Sequence, residues 1–431
     1  MNNSNVNWIG QIPDDWQTKT VRECLVERVD KNKDLSEKTI LSLSAKEGVT
    51  LYNGENHSGN KPKEDLSGYK IVKINDIVAN SMNILSGSVG LSDYNGVVSP
   101  VYYIYYNRKK ENDIRFFSYI FQCQEFQKNL RRLGKGILIK ETEDGKLNTI
   151  RTKVPSKLLS LENIPYPSPE KQKKIVEFLD KKCSEVDRLI ELENQQIEKL
   201  KEYKQAVITE AVTKGLDKNT KMKESGVDWI GKIPEHWNIQ RLKFISKYNN
   251  TSLSEKENPN ITIRYVDISS VSLNDGITEI QDFKFGDAPS RARRITQKGD
   301  IIVSTVRTYL KAIASIQEDG LVASTGFCVI RPNKKEDQKF IEYFCKSSIF
   351  TDNVSANSYG ISYPAINSTS LMDMHIPYPN IKEMNAIVEF IDTHCLEISE
   401  LINIKAKKIE KFQEYKKSII YEYITGKKEI V

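Results

Sequence analysis

Two short motifs occur twice in this chain, and the duplication constrains its fold more than any other feature. The first motif reads W-I-G-Q-I-P-D-D-W at 8–16 (Trp box 1) and W-I-G-K-I-P-E-H-W at 229–237 (Trp box 2). The second motif reads I-P-Y-P at 164–167 and at 376–379, and a long helical pattern follows each copy. A repeated frame of this kind predicts two structurally related halves.

The segments between the motifs, 17–163 and 238–375, show little similarity to each other. Ordinary gene duplication followed by drift is one explanation. Uniform drift, however, would change the motifs as much as the intervening segments, and here only the intervening segments differ strongly. We therefore interpret each half as a fixed frame around a variable domain.

Length and composition indicate a folded chain of more than one domain. At about 150 residues per domain, 431 residues have room for two or three. The apolar fraction of 39% can supply several cores, which a disordered chain could not. The net charge of +6, from 64 basic and 58 acidic residues, permits a polyanionic partner without requiring one.

The cysteine pattern and the first residues of the chain predict a protein of the reducing cytoplasm. Six cysteines are scattered without a C-x-x-C pair, and four histidines accompany them, so neither a zinc site nor a disulfide framework is expected. The first residues lack a signal-peptide pattern, and no stretch approaches the roughly 20 apolar residues of a membrane span.

Both halves end in a predicted long helix with apolar residues at alternating spacings of three and four, which is a coiled-coil seam. The seam comprises Leu179, Cys183, Val186, Ile190, Ile197, Leu200, Val207 and Ala211 in the first copy, and Ile391, Cys395, Ile398, Ile402, Ile409, Phe412, Ile419 and Tyr423 in the second. Antiparallel packing would give internal pseudo-two-fold symmetry. The alternative, that each helix packs only on its own domain, is disfavoured by a length of about 45 residues, or roughly 65 Å.

Capping signals mark the ends of these helices, and a polar pair marks their middles. Ser168 before Pro169, and Asn380 with Glu383, are predicted to cap the two starts, while Gly215 and Gly426 are predicted to end them. Near the midpoints, Glu193 and Lys405 interrupt the seam at corresponding positions. An opposite-charge pair there would fix the register of an antiparallel pair.

The variable domains are predicted to be mixed α/β. Short β-branched and aromatic runs lie at 70–74, 101–106, 300–303 and 327–330, and helical segments are expected at 114–130 and 338–347. Despite the divergence, 75–81 and 299–305 share one pattern, a strand that runs into small polar residues. Such strand-end loops can display side chains that read base edges.

Candidate nucleic-acid contacts follow from this pattern, from local basic clusters and from a Gly-and-aromatic loop at 359–364. Turn-capping or solvated loop residues are the alternative interpretation at every position. The candidates are Asn80, Ser81, Asn83, Ser99, Tyr102, Arg131, Arg132, Lys135, Lys140, Arg291, Arg293, Arg294, Ser304, Thr305, Arg307, Tyr309, Lys311, Ser324, Tyr359 and Tyr363.

The two Trp boxes, and the I-P-Y-P motifs that lead into spacer helices, resemble the specificity subunits of type I restriction-modification systems over essentially the whole chain. In the first copy Pro169, Gln172, Ile175 and Phe178 look like that family's frame, whereas the second copy has Ile381 and Met384 in place of Pro169 and Gln172. The resemblance implies an α+β fold with two target-recognition domains, 1–163 and 217–375, separated by spacer helices at 164–216 and 376–431.

The resemblance also implies the partners and the chemistry. Each variable domain would read half of a bipartite asymmetric site on double-stranded DNA, and the helices would set the gap. Two methyltransferase subunits using S-adenosylmethionine, and restriction/translocase subunits using ATP and Mg, would assemble around this chain, which would itself bind no cofactor and no membrane.

The motifs of the enzymes named above are missing from the sequence. We find neither the Asp/Asn-Pro-Pro-aromatic segment of an adenine methyltransferase nor a G-x-x-x-x-G-K-[ST] phosphate cradle. The carboxylates of the helices fit solvated surface positions better than a nuclease site. The rival interpretation from another class is a coiled-coil scaffold that presents two protein-binding domains and has no salt-sensitive affinity for DNA.

Overall fold

The computed structural model describes residues 1–54, 61–136 and 152–430. The chain divides into two compact units, Met1–Glu193 with Lys407–Val431 (unit 1) and Asn194–Ala406 (unit 2). Two long helices, Pro169–Lys214 (spacer helix 1) and Ile381–Ile424 (spacer helix 2), pack together and contribute a segment to each unit. The α+β class and the pair of long helices are confirmed.

Unit 1 contains short strands and helices in addition to its spacer segments. Its strands are Asn2–Asn3, Gln11–Ile12, Gln17–Thr20, Leu25–Glu27, Leu41–Ser44, Gly48–Leu51, Lys70–Val72, Ile77–Asn80, Val89–Leu91, Gly96–Val98, Tyr102–Asn107, Lys135–Gly136, Thr152–Lys153 and Asn163–Tyr166. Its shorter helices are Val21–Cys24, Ile114–Gln122, Gln124–Leu130 and Ser156–Leu159, with 3-10 turns at Ile84–Ser86 and Arg131–Leu133. The helix expected at 114–130 is thus two helices, with Cys123 in an extended conformation between them.

Unit 2 has a comparable set of elements, in a different order inside its variable domain. Its strands are Met222–Glu224, Lys232–Pro234, Asn238–Arg241, Ser246–Tyr248, Thr262–Val266, Val271–Ser272, Gly276–Ile277, Gln281–Lys284, Ala292–Ile295, Ile301–Ser304, Ile313–Ser315, Leu321–Ser324, Phe327–Pro332 and His375–Tyr378. Its shorter helices are Leu242–Ile245, Gln338–Lys346, Ser348–Ala356 and Ser368–Met372, with 3-10 turns at Ile268–Ser270, Phe285–Asp287, Thr308–Leu310 and Lys335–Asp337.

Both variable domains are built on the same four-stranded antiparallel sheet. Its order is Leu25–Glu27, Tyr102–Asn107, Ile77–Asn80 and Val89–Leu91 in unit 1. The order in unit 2 is Ser246–Tyr248, Phe327–Pro332, Ile301–Ser304 and Ile313–Ser315. The shared sequence pattern at 75–81 and 299–305 therefore marks equivalent strands.

A buried ion pair supports each sheet at the start of those strands. The carboxylate of Asp76 accepts hydrogen bonds from Arg28 (2.8 Å) and from the backbone of Lys73 (2.8 Å). Asp300 likewise accepts from Arg331 (2.6 Å) and from the backbone of Gln297 (2.8 Å). Arg28 follows the strand Leu25–Glu27, whereas Arg331 lies in the strand Phe327–Pro332, so the cation comes from a different element in each unit while the buried carboxylate keeps a cation and a backbone donor.

The two repeated motifs meet in space in both units. The strand after Trp box 1, Gln17–Thr20, pairs antiparallel with Asn163–Tyr166, which leads into spacer helix 1. In unit 2, Asn238–Arg241 pairs with His375–Tyr378 in the same way. Each variable domain is therefore an excursion of the chain between two adjacent framework strands.

The framework packs on the spacer helices through buried aromatic and aliphatic side chains. In unit 1, Trp8 and Trp16 share a core with Leu179 of spacer helix 1 and Ile424 of spacer helix 2. In unit 2, a fully buried Trp237 occupies the corresponding core with residues of both helices, including Ile208, Val212, Met384 and Ile387. Burial of these large side chains contributes most of the stabilisation of each junction.

Within each unit the two helices run antiparallel. In unit 1, the rings of Phe178 and Tyr423 lie 4.4 Å apart between centroids, and Asp187 accepts a hydrogen bond from Lys416 at 2.6 Å. In unit 2, the Lys204 ammonium donates to Ser399 at 3.0 Å. The predicted seam residues are buried or half-buried in both helices, whereas Leu189, Leu192, Leu396 and Ile404, outside the seam, are exposed.

The predicted caps are confirmed. Ser168 Oγ accepts from the backbone of Lys171 at 3.4 Å, and Asn380 Oδ1 accepts from that of Glu383 at 3.1 Å. Gly215 and Gly426 follow the helices with φ of +72° and +70°, a left-handed conformation that favours glycine.

The second copy of the framework has Met384 where the first has Gln172, and the structure explains this difference. In unit 1 the buried Gln172 side chain accepts from the backbone of Asp113 (3.1 Å) and donates to the carbonyl of Pro167 (3.0 Å). Met384 is buried at the corresponding place as an apolar residue. In both units a framework tyrosine also ties the strand to the domain, since Tyr166 donates to Asn112 at 2.9 Å and Tyr378 donates to Asp337 at 2.7 Å.

A tyrosine on each variable domain hydrogen-bonds an aspartate on a spacer helix. Tyr119 donates to Asp180 at 2.7 Å, and Arg115 pairs with the same carboxylate at 2.9 Å. Tyr343 donates to Asp392, the corresponding residue of spacer helix 2. Burial and then the hydrogen bond to Asp180 raise the pKa of Tyr119, so its hydroxyl stays protonated as the donor.

We expect Gly426→Ala to destabilise unit 1 more than Gly226→Ala does. The two glycines have φ of +70° and +74°, a left-handed conformation that costs an alanine roughly 1–2 kcal/mol. A Cβ on Gly426 would also lie 2.4 Å from Pro13 of Trp box 1, whereas one on Gly226 meets nothing within 4 Å. Urea denaturation followed by tryptophan fluorescence should show an extra loss of about 1–3 kcal/mol for Gly426→Ala. Equal losses would contradict this packing.

Removing the Tyr119 hydroxyl should weaken the junction with spacer helix 1. Tyr119→Phe deletes one hydrogen bond to Asp180 and should lower the free energy of unfolding by about 1 kcal/mol. Tyr203→Phe is the matched control, because the side chain of Tyr203 is exposed and should tolerate the change within a few tenths of a kcal/mol. Thermal or urea denaturation measures both, and an equal effect of the two variants would rule out the Tyr119–Asp180 contribution.

Candidate nucleic-acid interface

The shared strand ends in an equivalent turn in both variable domains. The carbonyl of Ser81 accepts a hydrogen bond from the backbone of Val154 at 3.1 Å, and that of Thr305 accepts from Ile366 at 2.8 Å. In unit 2 this contact brings the strand end beside the loop at 359–364. The sequence alone did not predict that these two segments are neighbours.

Four predicted contact residues at these strand ends are buried. Ser81, Ser304, Thr305 and Ser324 have almost no exposed surface. The hydroxyls of Ser304 and Thr305 donate to the backbone carbonyls of Val306 (2.5 Å) and Gly326 (2.9 Å). Their burial leaves them little surface for direct base contacts in this conformation, and their assignment as contact residues stays a prediction.

The other polar candidates of the first variable domain have mixed surroundings. Asn80 Oδ1 accepts from the backbone of Met82 at 3.0 Å, which is a turn cap. The carbonyl of Ser99 accepts from the backbone of Tyr102, whose half-buried ring packs on a small core. Asn83 is exposed and precedes a 3-10 turn that its side chain does not cap, so its amide is available to a ligand.

The basic candidates of the first variable domain lie after the helix Gln124–Leu130. Arg132 pairs with the buried Glu162 at 2.5 Å and is committed to the fold. Arg131 and Lys135 are exposed, the first on a 3-10 turn and the second on the strand Lys135–Gly136. Lys140 lies outside the described residues.

The arginine cluster at 291–294 in the second variable domain is engaged with its own domain. Arg291 donates to the hydroxyl of Tyr265 at 3.2 Å and pairs with Asp267 at 2.8 Å. Arg293 lies over the ring of Phe285 at 4.8 Å, and Arg294 donates to Ser252 at 3.3 Å. These contacts stabilise the fold and leave less of each guanidinium for phosphate.

Electrostatics agree with that role for Arg291. The hydrogen bond to Tyr265 and then the charge of Asp267 raise the pKa of Arg291. Burial alone would raise the pKa of Asp267, but hydrogen bonds from Tyr265 and Ser269 and the charge of Arg291 lower it overall. Both groups are therefore held in their charged forms.

An exposed aromatic and aliphatic surface lies at the strand end of the second variable domain. Two loops form it: the backbones of Tyr359 and Ala365 exchange hydrogen bonds of 2.9 Å, and Thr308 donates to Ser358 at 2.8 Å between the loops. We call this surface the aromatic loop surface; its members are Arg307, Tyr309, Leu310, Tyr359, Ile361 and Tyr363. Sequence reasoning missed Leu310 and Ile361, because it searched for polar and aromatic side chains.

Arg307 and Lys311 flank the 3-10 turn of this surface with φ of +51° and +49°. Non-glycine residues rarely adopt this conformation, and it is often found at functional sites. The guanidinium of Arg307 lies 4.9 Å from the ring centre of Tyr363. The Lys311 ammonium pairs with Asp352 at 2.7 Å, so Arg307 is the better placed cation for a ligand.

Glu193 and Lys405, the polar residues near the midpoints of the spacer helices, each contact a side chain of the opposite helix. In unit 1 the Glu193 carboxylate accepts from Lys408 at 2.5 Å, and in unit 2 the Lys405 ammonium donates to Gln196. The direct Glu193–Lys405 pair stays a prediction, as does its role in register.

Among the described residues, no group of three or more His, Cys, Asp or Glu side chains is placed to hold a metal ion. The helices of the described part of the chain include none with the length and apolarity of a membrane span.

Comparisons with known proteins agree with the duplicated architecture. The family model described as type I restriction modification DNA specificity domain matches residues 13–202 and 234–411. The chain is 27% identical over 282 residues to the type I restriction enzyme MjaVIII specificity subunit of Methanocaldococcus jannaschii, covering 64% of each protein. The match therefore spans less than two thirds of that relative.

Two further comparisons cover nearly the whole chain. The putative type I restriction enzyme MjaX specificity subunit of Methanocaldococcus jannaschii is 25% identical, with 97% of this chain and 95% of that protein covered. A solved structure, from work on complex assembly and conformational transition of the type I R-M system, has a TM-score of 0.67 at 14% sequence identity. The match covers 96% of this chain and 98% of that chain. That structural likeness supports the fold alone.

The relatives are specificity subunits, which are not the catalytic subunits of such enzymes. The family model accounts for most of the chain, with one copy in each half around one variable domain and one spacer helix. The chain belongs to the family of type I restriction-modification specificity subunits.

Proposed function

We propose that this chain selects the DNA sequence for a type I restriction-modification complex, with each variable domain reading one half of a bipartite asymmetric site. The observation that carries the proposal is the duplicated framework, which holds the same central sheet in both units but different loops at its strand ends. A repeated scaffold whose loops differ between the two copies suits two domains that read different DNA sequences. The spacer helices would set the gap between the half-sites.

The partners are part of the same proposal. Apolar side chains outside the seam, Leu189, Leu192 and Tyr415 in unit 1 and Tyr203, Leu396, Leu401 and Ile404 in unit 2, are exposed and suit the docking of two methyltransferase subunits. Methylation with S-adenosylmethionine, and ATP- and Mg-dependent translocation and cleavage, would reside in partner subunits. The complex would act on cytoplasmic DNA.

Arg307 and Arg291 make a matched pair for testing the DNA contact. Arg307→Ala should leave stability unchanged, weaken DNA binding by the assembled complex and make the salt dependence of binding shallower by about one counterion, because Arg307 is exposed. Arg291→Ala should instead destabilise the fold at neutral pH by less than about 1 kcal/mol, since the pair with Asp267 is partly exposed. Fluorescence anisotropy over a salt series and urea denaturation separate the two outcomes.

The pH dependence gives a second check on Arg291. Because the pKa of Asp267 is lowered in the folded state, its stabilisation is fully present above the unfolded pKa of about 3.9 and is lost as the pH falls through the folded value. The stability difference between wild type and Arg291→Ala should therefore shrink below about pH 4. A difference that stays constant down to low pH would count against the ion pair.

The bipartite reading is tested by methylome sequencing of cells that express this chain with a partner methyltransferase. Replacement of residues 17–163 by another variable domain should change one half of a split methylated motif and leave the other half and the gap intact. Should both halves change together, or no split motif appear with an active assembled partner, the assignment of one half-site to each domain is wrong. A protein-binding scaffold would show neither a motif nor salt-sensitive DNA affinity.

A further inference from the structure

Ile361 occupies an unusual place for an aliphatic residue. Ile361 is fully exposed, and the flanking Tyr359 and Tyr363 are 84% and 65% exposed. Scattered apolar residues on a surface need no explanation, but Tyr309 and Leu310 are also exposed, on the adjoining loop that Thr308 joins to Ser358. Exposed apolar residues on two joined loops indicate a surface that is covered by a ligand.

The loop that carries Ile361 is braced from within. Tyr359 and Ala365 exchange backbone hydrogen bonds, and Ala365 also bridges to Val306 on the adjoining loop. Gly360 has a φ of +113°, and a Cβ there would lie 3.1 Å from the carbonyl oxygen of Tyr363. This turn therefore requires glycine, and it presents Ile361 in a defined position.

The charge against the loop that carries Ile361 favours a polyanion as the ligand. Arg307 lies over the ring of Tyr363, and none of the described carboxylates pairs with it. A cation beside an aliphatic tip matches a DNA groove, where phosphates line the edge and base edges form the floor. In the major groove, the apolar group that distinguishes one base from the others is the 5-methyl group of thymine.

We propose that Ile361, flanked by Tyr359, recognises the 5-methyl group of one thymine in the half-site read by the second variable domain. The inference rests on the proposed function and adds the base, the groove and the chemistry of the contact. Arg307 would position the loop through a phosphate, and Ile361 would supply the sequence preference.

The test uses the assembled complex of this chain with its methyltransferase partner, on duplexes that carry the motif found by methylome sequencing. Each thymine in turn is replaced by deoxyuridine, which removes the methyl group and keeps base pairing. At one position of the second half-site, wild type should lose about fourfold in affinity, the factor that corresponds to one buried methyl group. Ile361→Ala should bind thymine and deoxyuridine equally there.

Val29→Ala is the control, because Val29 is an exposed aliphatic residue of the first variable domain. It should keep the full thymine preference. Unfolding midpoints check that both variants fold, as expected for exposed positions.

Four outcomes would contradict the inference. Specific binding without any sensitive thymine, or a second half-site made of G·C pairs alone, overturns the methyl contact and leaves the proposed function standing. A thymine preference that persists in Ile361→Ala assigns the contact to another residue. Absence of salt-sensitive, sequence-specific binding by the wild-type complex overturns the proposed function itself, together with this inference.

Discussion

The junction between framework and spacer helices is the constraint on which the structure of each unit depends. In unit 1, Trp box 1 packs on the end of spacer helix 2, where Tyr421 donates to the carbonyl of Trp8 at 3.2 Å, and on the start of spacer helix 1. Unit 2 uses Trp237 and Gly215 in the same way, with a Cβ position on the glycine 3.2 Å from the indole. Neither unit is complete without a segment from both long helices, which explains why the frame was kept while the inserts diverged.

At these junctions the acidic residue lies on the Trp box in unit 1 and on the spacer helix in unit 2. Asp15 of Trp box 1 pairs with Lys171 at 2.5 Å, and the corresponding residues of unit 2 are His236 and Glu383, at 2.9 Å. The hydrogen bond from Lys171 lowers the pKa of Asp15. The side chain of each Trp box is thus complementary to the start of the spacer helix in its own half. If the two boxes were exchanged, the carboxylate of Asp15 would face that of Glu383. Exposed pairs of this kind contribute little stability, but they bias which half pairs with which.

The framework could be predicted from sequence because its signals are periodic or repeated. Local spacing along the chain is enough to recognise the seam residues, the caps at Ser168 and Asn380 and the two terminal glycines. Such spacing can be read directly from the sequence. The surface of the variable domains could not be predicted in the same way. The polar residues after the shared strand looked available, yet Ser81 and Thr305 face inward. Sequence pattern gives the position of a strand end but not the contacts that bury it.

The arginines show the same limit, because charge alone did not distinguish Arg307 from its neighbours. Four arginines in the second variable domain looked equivalent in sequence, but Arg291, Arg293 and Arg294 are bound to their own domain, whereas Arg307 is presented beside a braced loop. An arginine already paired with an acid must lose that pairing before it binds phosphate, so its net gain is small. The arginine left on exposed, strained backbone is the one whose contact with a polyanion costs the fold least.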